Sequence, residues 1–177
     1  TAQMLRVTGN DNDLSRNLSY GALLNRAPVD IGQVGFDPID IDNISPPSGN
    51  RGLNWPELLA VVYQSGNYRI SGRLRSDNGS YFIHFYDSNR QVNTSVSRCE
   101  ARQYIATLAP VTISDASPGS NGSVSFTAVI PASEFGNAQV TAQATRRSQI
   151  NGLLQGGDTS EIGNCLELPL FRDGFED

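Results

Sequence analysis

The stretch Tyr68-Arg69-Ile70-Ser71-Gly72-Arg73-Leu74-Arg75-Ser76-Asp77-Asn78-Gly79-Ser80-Tyr81-Phe82-Ile83-His84-Phe85-Tyr86 decides the fold. Successive side chains of a strand point to opposite faces, so a half-buried strand alternates apolar and polar residues. From 68 to 75 the chain does so: Tyr68, Ile70 and Leu74 fall on one face, Arg69, Ser71, Arg73 and Arg75 on the other. From 81 to 86, Tyr81, Ile83 and Phe85 are expected inside, with Phe82, His84 and Tyr86 on the opposite face. Between them Asp77-Asn78-Gly79-Ser80 is a turn, and Asn-Gly flanked by strands predicts a tight hairpin at 78–79.

Working outward, Leu59 to Tyr63 is a short apolar strand ended by the turn formers Ser65-Gly66-Asn67. Further strands are expected at Gln103 to Leu108, Ser123 to Ile130, Ala138 to Thr145 and Asn164 to Leu168, with a short helical turn within Pro131 to Gly136. Short strands separated by frequent turns predict an all-β protein with an immunoglobulin-like antiparallel β-sandwich over residues 59–168. Residues 1–58 read as an extended N-terminal arm, because Gly9 to Asp13, Pro28, Pro38 and Pro46 to Asn50 interrupt strand pieces too short to form a sheet alone. A weak helical turn at Ser19 to Leu24 is the one departure from that pattern. Residues 169–177 form an acidic and aromatic tail.

The net charge of −5 repels phosphate backbones, which excludes nucleic acid as an expected partner. All 13 basic residues are Arg. Bidentate recognition by guanidinium groups or a GC-rich coding bias would each produce that. No apolar run is long enough to span a bilayer. Cys99 and Cys165 form no CxxC pair, and with His84 as the single imidazole no zinc set assembles from the usual ligands. In an exported protein their default is a disulfide closing a long loop; in a cytosolic one they would be two buried thiols.

Little in the sequence points to catalysis. His84 sits on a strand face between aromatics, and no GxSxG elbow or phosphate-binding Gly loop occurs. No catalytic residue is nominated and the chain reads as a non-enzyme that needs no cofactor. Asp37, Asp40, Asp42 and Asn43 crowd oxygen donors into one loop, as Ca²⁺ prefers, although the EF-hand spacing is not met and a solvated turn explains them too. Trp55, Phe82 and Tyr86 are candidates for stacking against a glycan, with burial in the core as the alternative.

Several blocks, in order, resemble the C-terminal module of secreted bacterial parallel β-helix repeat proteins. They are Leu53-Asn54-Trp55-Pro56-Glu57-Leu58, Gly72-Arg73-Leu74-Arg75-Ser76, Tyr81 to Ser88, Gly122 to Phe126, Val140 to Thr145, and Asp158-Thr159-Ser160-Glu161 followed shortly by Cys165. Val29-Asp30-Ile31-Gly32 is similar to the final β-helix coil before that module, and Leu170 to Glu176 to an ending, [IL]FxDGFE, common on exported γ-proteobacterial proteins. The resemblance implies an extracellular or cell-surface location in a Gram-negative bacterium and a structural, filament-forming or adhesive role. The Asn- and Gly-rich coils of the β-helix itself are absent. Residues 1 to about 28 are then a candidate donor strand for a neighbour's sheet, giving a homopolymer or a contact with another surface protein; the competing expectation is that they fold back on their own sandwich.

Overall fold

The computed structural model describes residues 5–7, 29–31, 53–89, 91–93, 98–150 and 153–169. Among these the chain is almost entirely strand and carries no α-helix. The Asp-rich loop, the Ser19–Leu24 turn and the tail after Pro169 lie outside the described residues.

Two short arm strands, β1 (Leu5–Val7) and β2 (Val29–Ile31), pair in parallel, Leu5 opposite Val29 and Val7 opposite Ile31. The sandwich follows. Its first sheet has the order β3 (Glu57–Gln64), β4 (Asn67–Ser76), β9 (Gly122–Pro131), all antiparallel. Its second runs β11 (Leu153–Thr159), β10 (Gln139–Ile150), β5 (Gly79–Ser88), β8 (Gln103–Ile113), and β12 (Cys165–Glu167) also pairs with β10. Beside the second sheet β6 (Gln91–Asn93) pairs with β7 (Arg98–Cys99). This is the immunoglobulin-like, all-β sandwich expected from the alternation.

One local expectation fails. The Asn78-Gly79 turn is no hairpin, because β4 pairs with β3 and β9 while β5 pairs with β8 and β10. The connection at 77–78 carries the chain from one sheet to the other. Both strands are apolar on their inner faces, and crossing lets those faces meet. Tyr81 anchors the crossing: its hydroxyl donates to the Asp77 carbonyl at 2.8 Å and lies 3.1 Å from the Ser76 hydroxyl. The tight hairpin lies one turn earlier, where Ser65 and Gly66 take φ of 49° and 78° and join β3 to β4. Positive φ at both central residues matches the right-handed twist of the flanking strands.

The core lies between the sheets and is built by the expected residues. Tyr68, Ile70 and Leu74 meet Tyr81, Ile83 and Phe85, with Phe126, Ala128 and Ile130 from β9 and Val140, Ala142 and Ala144 from β10. The segment Ala132–Glu134 forms a single 3₁₀ turn, as expected, and Phe135 beyond it packs edge-on against Tyr68 at 5.4 Å. The Cys99–Cys165 disulfide is formed, with a Cα–Cα distance of 5.7 Å, and ties β7 to β12 across 66 residues of sequence.

Candidate functional site

Alternation sends one set of β5 and β10 side chains away from the core: His84 and Tyr86 on β5, and Thr141, Gln143 and Thr145 opposite them on β10. On a two-layer sandwich that face is ordinarily wet. Here it is dry: Tyr86, Thr141, Gln143 and Thr145 are at most 1% exposed and His84 3%. The cover comes from Ala101 after β7 and Ile162 between β11 and β12, which form a small apolar cluster with Tyr86 and the half-buried Tyr104.

Hydrogen bonds engage the hydroxyl and amide groups under this roof, as burial demands. The Tyr86 hydroxyl donates to Gln143 Oε1 at 3.1 Å, and Gln143 Nε2 donates to the Ser160 carbonyl at 2.8 Å. Ser160 Oγ accepts from the Ala144 amide at 2.9 Å and donates to the Glu161 carbonyl at 2.7 Å. Thr141 Oγ1 reaches the carbonyls of Gly163 and Asn164 at 3.1 and 3.0 Å. His84 Nδ1 lies 2.7 Å from Thr107 Oγ1, which is 2.8 Å from the Tyr104 hydroxyl. A nucleophile needs a base beside it and room for a substrate. Ser160 is engaged at both ends of its hydroxyl and His84 is buried; the Thr141, Gln143 and Ser160 bonds join β10 to the segment that covers it.

The aromatic candidates are dispersed. Tyr86 is fully buried with its ring edge-on to Tyr104 at 6.1 Å, so it presents no face to solvent. Phe82 is half-buried, 6.3 Å from the His84 ring, and Trp55 is half-buried beside Gly163. An open depression of about 210 Å³ lies elsewhere, lined by Gln64, Ser65, Asn67, Arg69 and Val129. Asp37, Asp40, Asp42 and Asn43 fall outside the described residues.

Two structural residues carried no sequence signal. Asp87 Oδ2 accepts from the Gly136 amide at 3.0 Å and from Asn137 Nδ2 at 2.8 Å, pinning the β9–β10 connection to the end of β5. Asn164 takes both backbone groups of Leu58, accepting from its amide and donating to its carbonyl, each at 2.8 Å. That pair binds β3, in the first sheet, to the segment leading into β12 in the second. Partners 49 to 106 residues away in sequence leave no local pattern.

The rim of the two sheets offers a further place for an interaction. Among the described residues neither sheet closes: β3 and β9 flank the first, and β8 and the β11–β12 side flank the second, each paired on one side. Edge strands expose backbone donors and acceptors that another strand can take. The chain matches no known family model and no curated protein.

Proposed function

We propose that this chain is a non-enzymatic, extracellular structural and interaction module of a bacterial surface or secreted protein, assembling with copies of itself by donation of its N-terminal arm. The observation that carries the reading is that, among the described residues, both sheets keep edge strands paired on one side, beside a buried interior. The Cys99–Cys165 bond supports export, since disulfides persist in oxidising compartments. Within the arm, β1 and β2 pair with each other, leaving one side of each strand for a further partner.

The test is removal of residues 1–28, with mass measured by light scattering and particles viewed by electron microscopy. The full chain forms ordered multimers and the truncated chain is monomeric, with its thermal midpoint unchanged. Assembly that survives the truncation rejects strand donation.

A further inference from the structure

We infer that the outer edge of β9, at Ser125, Thr127 and Val129, is the acceptor for the N-terminal arm of a second copy of this chain. The inference rests on the strand-donation reading above and names the surface that receives the strand.

Comparison of the edges singles out β9. Natural sheets protect their edges with bulges, charges, prolines or short strands. β3 is bulged between Leu58 and Ala60, and Asn164 occupies both backbone groups of Leu58. β8 pairs with β5 through two irregularities and contains Pro110. β11 meets β10 across a register shift and carries Gly156, Gly157 and Asp158, while β12 has only three residues. β9 has none of these: ten residues pair with β4 in unbroken register, without a charged side chain and with proline only at the last position.

The hydrogen bonds show which groups face outward. In an antiparallel pair each residue turns both its N–H and its C=O either toward the partner or away, and the two alternate. The Ser123 amide donates to Asp115 Oδ1 at 3.0 Å, on the side away from β4, whereas the Ala132 amide donates to Gly66 at the β3–β4 turn at 2.9 Å. Odd-numbered residues of β9 therefore face outward. Asp115 takes the first outward position and Pro131, with no N–H, closes the last. Three outward residues remain, a length matched by the three-residue arm strands β1 and β2.

The occupant follows from chain connectivity. Fifty-two residues precede Leu53, and they enter the first sheet at β3, the edge opposite β9. In the inferred contact each copy accepts at β9, the edge opposite the one at which its own chain enters the sheet. That is the head-to-tail arrangement, which propagates rather than closing in a pair.

The experiment uses the full-length protein, with mass by light scattering and amide exchange read across a dilution series. Thr127→Pro removes an outward N–H without touching the β4–β9 ladder, and Val129→Lys charges the same edge. Val62→Lys is the matched control: Val62 and Val129 lie in register on either side of Arg69, 55% and 63% exposed, but on opposite edges. Leu5→Pro with Val7→Pro disables the arm. Wild type and the control assemble, the two β9 variants and the arm variant have the mass of one chain, and exchange at Ser125, Thr127 and Val129 slows roughly tenfold on concentration. If the β9 variants assemble while the arm variant does not, the β9 assignment fails and strand donation stands. If the arm variant assembles while the β9 variants do not, or if wild type is monomeric throughout, both fail. Protection of the β9 amides in dilute monomer means that the arm covers its own sandwich, which also overturns the inference.

Discussion

Phe126 stands directly opposite Gly72 in the β4–β9 register, and its ring fills the space a side chain at position 72 would need. A β-carbon placed on Gly72 falls within bonding-forbidden distance of Phe126 Cζ and 2.6 Å from the Glu57 carbonyl oxygen. The missing side chain on β4 and the large one on β9 form one packing unit. Gly72→Val is expected to destabilise by about 1–3 kcal/mol through overpacking, and Phe126→Ala by about 3–5 kcal/mol through the cavity it leaves. Because the two share one space, the double variant loses less than the sum of the singles, which a double-mutant cycle of denaturant melts will show.

The disulfide is expected to constrain the unfolded chain strongly, since it closes a loop of 66 residues. In the chain-entropy account such a loop contributes about 4 kcal/mol. Cys99→Ser paired with Cys165→Ser should lower the urea midpoint accordingly, and reductant should shift the wild type but leave the double variant unmoved.

Alkaline titration tests the crossing between the sheets. Burial raises the Tyr81 phenol above its ordinary value of 10.0; the Ser76 hydrogen bond and Arg146 work against that shift, while Asp77 and Asp158 add to it. A raised folded-state value means that above about pH 10 the unfolded chain ionises first and binds fewer protons. Stability is then flat below that pH and falls as pH rises through the folded-state value. Tyr81→Phe gives up a hydrogen bond at neutral pH, at a cost of about 1 kcal/mol, but its stability should decline less steeply between pH 10 and 12. An equal decline in both proteins would show that other groups govern the alkaline limb.

Asp87 holds Gly136 and Asn137 from a site with no solvent exposure. Asp87→Ala strands those donors and should cost about 1–3 kcal/mol. Hydrogen exchange localises the effect: the Gly136 amide should lose protection before the β5 and β10 amides do. Uniform loss across both sheets would mean that the bracket is part of the global core instead.

Inward and outward faces of β4, β5, β9 and β10 were legible because the pleat imposes a period of two whatever the partner. Tyr68, Ile70, Leu74, Tyr81, Ile83, Phe85, Val140, Ala142 and Ala144 all lie in the core on that ground. The second strand of the last hairpin, β11, escaped notice because Leu153-Leu154-Gln155-Gly156-Gly157-Asp158-Thr159 barely alternates and contains adjacent glycines. The Asn78-Gly79 turn misled for a different reason. A dipeptide specifies a change of direction, but whether the next strand stays in the sheet depends on which faces can bury each other.

Alternation and turn chemistry, both local properties of the chain, determined an all-β sandwich and the membership of its core. Tertiary structure decided which strands share a sheet, that the outer face of β5 and β10 is roofed by Ala101 and Ile162, and that β9, alone among the described edge strands of the sandwich, keeps a regular, uncharged edge. Those outcomes depend on contacts between residues distant in sequence, such as Asn164 with Leu58 and Asp115 with Ser123 across the β9 start. Short-range pattern fixes how each strand is painted; only the assembled sandwich determines which painted faces and edges remain for a partner.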